Sequence, residues 1–363
     1  MLFCVRRIAR PNQSVPVHDL RGVDWRRFMA AAVRDKALGL VGHALDRTGL
    51  LRSVPPDARL AFHSAMLDAE ANLQKKRQQL EIVLAALREA SIPVLLIKGI
   101  SLADTIYRNM PYRQMSDIDL MFRPEQRDTA IAALAARGFR PVATRNRGQL
   151  RFFLESLGRG SFSHPEAGEV DVHWNPSYWT GRSRVRLDID GIWNRSTAVE
   201  GEGENVRRLS AEDDFVLLFL HALEFRGIYT YHLLDLALLL AGSRITERTL
   251  DELLDRQFPL HELSRLHSVF RLLKEVIFED RPLSRLSPGA RLLAQRFLPD
   301  HVDPGLSIRE VVSHANDPLS LLAYLACHFF PDPAAYPGQS IFKRYRSHAA
   351  HYIAELRRIS RSA

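Results

Sequence analysis

Ser116-Asp117-Ile118-Asp119-Leu120 and, further along, Glu169-Val170-Asp171-Val172-His173-Trp174 are the stretches that decide the fold. Each alternates polar with apolar residues, the period-two pattern of a strand whose side chains point to opposite faces. In the first, Asp117 and Asp119 share one face, expected to be turned to solvent or to a site, and Ile118, Leu120 and Phe122 share the other, facing the core. In the second, Glu169, Asp171 and His173 fall together, opposite Val170, Val172 and Trp174. If the strands are neighbours, their carboxylates converge. Close carboxylates repel one another unless a multivalent cation compensates, and Mg²⁺, which takes hard oxygen ligands and completes its shell with water and phosphate, is the natural candidate. Glu169 competes with Asp171 for the third place, because both lie on one face.

Working outward, Pro93 to Ile97 reads as a short apolar strand and Ser101 to Tyr107 as a helix. Lys98-Gly99 between them offers helix-start amides that suit phosphate, with a glycine that permits close backbone approach. Arg113 is placed to hold Asp117 or Asp119, or to contact phosphate. Pro124 to Arg137 reads as a helix closed by Gly138, and Phe139 to Ala143 as a strand. Pro165-Glu166-Ala167-Gly168 is a turn between the runs Ser161 to His164 and Glu169 to Trp174, which makes an antiparallel hairpin and hence a mixed sheet. A second Asp-x-Asp, Asp188-Ile189-Asp190, reads as a surface turn because Gly191 follows.

Before this α/β region, the chain from Asp24 to Ala90 has helical spacing, with an apolar stripe of Leu73, Leu80, Val83, Leu84 and Leu87. After Gly201-Glu202-Gly203-Glu204 it becomes helical again, opened by a capping Ser210. Helices are expected over 209–225, 231–240, 249–258 and 262–278, with more in 306–331 and 341–360. The fold class is therefore α+β. A mixed sheet with flanking helices (residues 92–204) lies between an N-terminal helical segment (1–91) and a C-terminal all-helical region (205–363).

Apolar runs such as Phe215 to Leu220 and Leu319 to Phe330 fall short of the ~20 residues a membrane span requires. The start of the chain carries Arg6, Arg7 and Arg10 without a following apolar stretch, so no secretory signal is expected. Cysteine is limited to Cys4 and Cys327, which excludes a disulfide framework and a cysteine-rich zinc module and fits a cytoplasmic protein. The net charge of +8 could serve an anionic partner. Only six of the 50 basic residues are lysine, however, and the arginines are scattered among acids. That leaves nucleic acid possible but not favoured, since RNA normally demands a continuous basic track.

Taken together, Lys98-Gly99, Tyr107, Arg113, Asp117-Ile118-Asp119-Leu120 and Asp171-Val172-His173-Trp174 resemble the uncharacterised bacterial nucleotidyltransferase family of the polymerase-beta-like superfamily. The likeness covers 73 to 240 and extends to His221 and Asp235 as the family's helical His and Asp. It implies a nucleotidyltransferase-type mixed sheet, two Mg²⁺ ions and an NTP donor such as ATP. Asp117, Asp119 and Asp171 are then the catalytic metal ligands, and Lys98, Gly99, Ser101 and Arg113 bind the nucleotide. The wider superfamily has Gly-Ser where this chain reads Lys98-Gly99-Ile100-Ser101, so Lys98 is a substitute phosphate ligand. Tyr107, His173 and His221 each have a packing role as the rival reading, as do Trp174, Tyr178 and Trp179 against base stacking. The expected reaction moves NMP onto a small-molecule or peptide or protein acceptor, with the C-terminal helices recognising it. A catalytically silent nucleotide-binding module and a metal-dependent phosphoesterase are the alternatives. Asp119→Asn is expected to abolish transfer while shifting the melting temperature by only a few degrees.

Overall fold

The computed structural model describes residues 22–107, 113–142, 157–179, 184–224 and 230–242, together with isolated positions outside these ranges. The helices expected beyond residue 245, and Cys327, lie outside the described residues. Ahead of the sheet the described residues form α1 (Trp25–Arg34), α2 (Leu38–Arg47) and the long α3 (Pro56–Glu89). Asp24 caps α1 by accepting a hydrogen bond from the Arg27 amide at 3.1 Å. Then follow β1 (Val94–Ile97), α4 (Lys98–Thr105), β2 (Ile118–Met121), α5 (Arg127–Ala136), β3 (Arg140–Pro141), β4 (Arg159–His164) and β5 (Gly168–His173). The rest comprises β6 (Ser177–Trp179), β7 (Arg184–Arg186), α6 (Ile189–Arg195), β8 (Thr197–Ala198), β9 (Val206–Arg208), α7 (Ala211–Glu224) and α8 (Thr230–Gly242). Among the described residues, no helix is long and apolar enough to cross a membrane.

Among the described residues, a sheet of seven strands runs β3-β4-β5-β2-β1-β9-β8, and β6 pairs with β7 separately. It is mixed: β2 lies parallel to β5 and β1 parallel to β9, whereas β1–β2, β4–β5, β3–β4 and β8–β9 are antiparallel. The alternation of side chains divides the sheet between two cores. Val94, Leu96, Ile118, Leu120, Phe122, Val170 and Val172 face the C-terminal half of α3 (Leu73, Leu80, Val83, Leu84, Leu87) and Leu134 of α5. Leu95, Ile97 and Met121 face the opposite way, towards α2, α7 and α8. Both faces of β2 are therefore covered, and all four of its residues are buried. Met121, on the same face as Asp119, joins the second core, so this face is apolar and covered beyond the two aspartates.

Several boundaries differ from the sequence expectation for identifiable reasons. Of the strand expected over Phe139 to Ala143, Arg140–Pro141 pairs at the edge of the described sheet, where a proline that cannot donate to the ladder is tolerated, and Ala143 lies outside the described residues. Asp188 is a helix cap instead of a surface turn, its carboxylate accepting from the Gly191 amide at 3.0 Å to open α6. The sheet also runs past the expected boundary at 204, since β9 pairs with β1 from Val206 to Arg208. Gly138 closes α5 with φ of +90°, in the left-handed region as expected.

Candidate active site

The pairing of β2 with β5 puts Asp119 directly beside Asp171. Asp117 precedes β2 by one residue, is half-buried, and accepts from the Ser116 hydroxyl at 3.1 Å. Glu169 is exposed near the start of β5, opposite Ser163. The three aspartates thus stand on one face, with Glu169 at its rim.

Lys98 reaches into the set from the first position of α4. Its ammonium donates to Asp119 Oδ1 at 2.7 Å, and both side chains are 8% exposed. The backbone there has φ of +55°, a conformation that costs a non-glycine residue of order 1–3 kcal/mol unless its surroundings hold it. Burial alone would raise the Asp119 carboxyl, but the Lys98 ammonium and then His173 outweigh it and hold the group well below the usual carboxylate range. Burial likewise opposes the Lys98 charge, yet Asp119 lifts its pKa above the ordinary lysine range. His173 Nε2 lies 3.1 Å from the same Asp119 oxygen. Burial, then Lys98, push this imidazole down to about 4, so it is neutral near pH 7. Since ionised Asp119 can only accept, Nε2 carries the proton, and Nδ1 has no hydrogen-bond partner among the described residues.

The other two aspartates behave oppositely. Burial, then the Asp119 charge, push Asp171 up to about 6, against a hydrogen bond from Ser161. Burial, then Asp119, also raise Asp117. The site is therefore short of positive charge despite Lys98. Among the described residues, no three histidine, cysteine or carboxylate side chains already surround one point closely enough to hold a metal ion. The donors are nevertheless those that Mg²⁺ uses, and Mg²⁺ commonly needs only one or two protein carboxylates, so the set fits.

The Lys98-Gly99 turn uses its glycine for close packing. A Cβ on Gly99 would lie 2.4 Å from Arg113 Nη1 and 2.9 Å from Met115 Cγ. Ser101, one turn into α4, is buried, and its hydroxyl has no partner among the described residues. Arg113 bonds neither Asp117 nor Asp119. Its Nε donates to both oxygens of Asp235, at 3.0 and 2.9 Å, and its guanidinium lies over the Tyr231 ring with its carbon 5.2 Å from the centroid. The Tyr107 hydroxyl donates to the same Asp235 at 2.6 Å. Tyr107 is thus a buried member of a polar hub joining α4 to α8. His221 is half-buried on α7, and Trp174 and Tyr178 are packed in the two cores. The side chain of Trp179 lies outside what is described.

Two contributors from α3 were not legible in the sequence. Asn72 brackets Met115, donating to its carbonyl at 3.1 Å and accepting from its amide at 3.0 Å. Lys76, only 5% exposed, donates to the Ser116 carbonyl at 2.6 Å. Polar residues beside an apolar stripe ordinarily read as a solvated helix flank, and no local signal marks these two as buried.

A family model described as an uncharacterised nucleotidyltransferase matches residues 21–276, and the chain belongs to that family. Its enzymatic class is accordingly nucleotidyl transfer, with an NTP as substrate. No curated protein matches the sequence. Among solved structures, the lincosamide antibiotic adenylyltransferase LnuA with lincomycin bound is 14% identical over 46% of this chain and 97% of its own, with a TM-score of 0.32. The antibiotic-resistance factor ANT(2'')-Ia in solution is 18% identical over 53% of this chain and 90% of its own, with a TM-score of 0.33. The same protein with adenylyl-2''-tobramycin is 19% identical over 53% and 94%, again at 0.33.

Proposed function

We propose that this chain is a Mg²⁺-dependent nucleotidyltransferase that moves NMP from an NTP, ATP in the first instance, to a hydroxyl or similar group on a small-molecule or peptide or protein acceptor. The observation that carries this reading is the register that sets Asp119 against Asp171, with Asp117 beside them and Lys98 in their midst. Asp117, Asp119 and Asp171 would hold Mg²⁺, which when bound neutralises the phosphates and activates the attacking oxygen. Lys98 and the unpartnered Ser101 hydroxyl stand at the start of α4, where a triphosphate is best received. Arg113 keeps the 113–117 loop against Gly99 while anchored on Asp235. The acceptor oxygen forms its bond to the α-phosphorus as the bond to pyrophosphate breaks in line. The chain contributes positioning and charge neutralisation, with no covalent enzyme intermediate.

The sheet and its helices form the catalytic unit of this proposal, and the helical region from α7 onward recognises the acceptor. The two thiols fit a reducing, cytoplasmic setting. The test is incubation of the full chain with the four NTPs, each α-labelled in turn, Mg²⁺ and a host extract, followed by mass spectrometry. A nucleotidyl adduct made by the wild type and lost in Asp117→Asn supports the reading. Release of free monophosphate instead would make the protein a phosphoesterase, and nucleotide binding without product would make it a silent module.

The structure also changes which aspartate is the better probe. Asp119→Asn takes from the buried Lys98 ammonium the carboxylate it bonds, a kind of change that costs up to about 3–5 kcal/mol, so its melting temperature should fall beyond the few degrees expected from sequence. Asp117, half-buried and accepting from the Ser116 hydroxyl, is the safer substitution.

A further inference from the structure

Helix α3 belongs by sequence to the segment ahead of the sheet, yet it grips the loop that leads into Asp117. Asn72, Lys76 and Gln79 are spaced i, i+4 and i+7, so they form one stripe along the helix. This stripe borders the apolar row of Leu73, Leu80 and Val83 that seats α3 on the sheet. Asn72 holds Met115 by both backbone groups, and Lys76 holds the next carbonyl, Ser116. Gln79 donates to the Glu166 carbonyl at 3.3 Å, in the turn from which β5 carries Asp171. One rigid element therefore fixes the approach to both strands of the carboxylate set.

The consequences reach the other side of the site as well. Met115 packs against the Gly99 position, close enough that a methyl group there would clash with its side chain. Burial pushes the Lys76 ammonium down from the ordinary lysine range, against the charges of Asp117, Glu169 and Asp119, which favour it. If only packing mattered, an apolar side chain would serve better there than a desolvated amine.

We propose that Asn72 is a positioning residue for nucleotidyl transfer, clamping Met115 so that Asp117 is held against Asp119 and Asp171 and the Lys98-Gly99 turn is supported from below. This rests on the reading of the three aspartates as the cation-binding set. Asn72 is itself neutral and half-buried, so its removal deletes two hydrogen bonds without stranding a charge.

The test uses Mn²⁺ alone as probe, its binding to the full chain followed by electron paramagnetic resonance. The variants are Asn72→Ala, Asp117→Asn and Leu73→Ala. Leu73 is a neighbouring core residue in the same apolar cluster as Met115, so its substitution costs stability and packing while leaving both Asn72–Met115 hydrogen bonds in place. Asn72→Ala should weaken Mn²⁺ binding about 10–100-fold, the usual effect of losing a group that orients a ligand, while Leu73→Ala leaves the affinity within about twofold. Wild-type affinity in Asn72→Ala, or equal losses in Asn72→Ala and Leu73→Ala, overturns the positioning role alone. A wild-type chain whose Mn²⁺ binding is no stronger than that of Asp117→Asn overturns the cation-site reading, and this proposal with it.

Discussion

Asp235→Ala is the perturbation that most directly tests the hub joining α4 to α8. Asp235 has no solvent exposure, and it accepts from the Tyr107 hydroxyl and from Arg113 Nε through hydrogen bonds of 2.6 to 3.0 Å. Truncation leaves a guanidinium only 12% exposed without its counter-charge, for which the usual cost is about 3–5 kcal/mol. Tyr107→Phe removes a single hydrogen bond to a charged acceptor, worth about 1.5–3 kcal/mol. Because both substitutions break the same Tyr107–Asp235 bond, their effects should not add. In the Asp235→Ala background Tyr107→Phe should cost less than about 1 kcal/mol, which gives a coupling within the range expected of directly bonded residues. Urea unfolding of the wild type, both single variants and the double variant supplies the cycle, with unchanged m-values as the sign that only stability has moved. A loss below about 1 kcal/mol in Asp235→Ala, or an undiminished Tyr107→Phe effect in the double variant, would refute the hub as a stabilising centre.

Asp171 carries a pH signature of its own. Its pKa is pushed up to about 6 in the folded chain, so the folded state is favoured while the group is protonated, and stability declines as pH rises from about 4 through about 6, by roughly 3 kcal/mol in all. Asp171→Asn should therefore be more stable than wild type near pH 7.5 and nearly equal to it near pH 4, as read from urea midpoints at the two pH values; an equal gain at both would exclude the assignment. Burial pushes the Cys4 thiol up to about 11, so Cys4 should resist iodoacetamide near pH 8 in the native chain and react after unfolding, as mapped by peptide mass spectrometry.

How much of this was legible in the sequence depends on how local each signal was. The facing of Asp117, Asp119 and Asp171 followed from alternation along two short runs, and neighbouring strands turned that alternation into a cluster. The hairpin through Pro165 to Gly168 was equally local. What escaped were partners fixed only by the assembled fold. Lys98 looked like a phosphate ligand on a loop, and its bond to Asp119 depends on β1 lying antiparallel to β2. Arg113 sits close in sequence to Asp117, so a bond between them was the natural expectation, but α8 brings Asp235 nearer. The β9 strand is too short, and too rich in arginine, to stand out as part of the same sheet. Asn72 and Lys76 were invisible because a helical pattern distinguishes apolar from polar positions and does not identify the backbone groups a polar side chain will meet.

The anchoring of Tyr107 and Arg113 on Asp235 bears on how the molecule comes into being during synthesis. The aspartate strands emerge from the ribosome well before α8, at rates of about 5–20 residues per second. Until Asp235 has been made, a nascent chain exposes a buried-to-be arginine and tyrosine with nothing to satisfy them, and β1 lacks its parallel neighbour β9. Completion of the sheet and of the Asp235 hub is thus deferred until β9 and α8 arrive, so a fragment cut at residue 204 inherits all three aspartates without the parallel strand and the anchor that brace their surroundings.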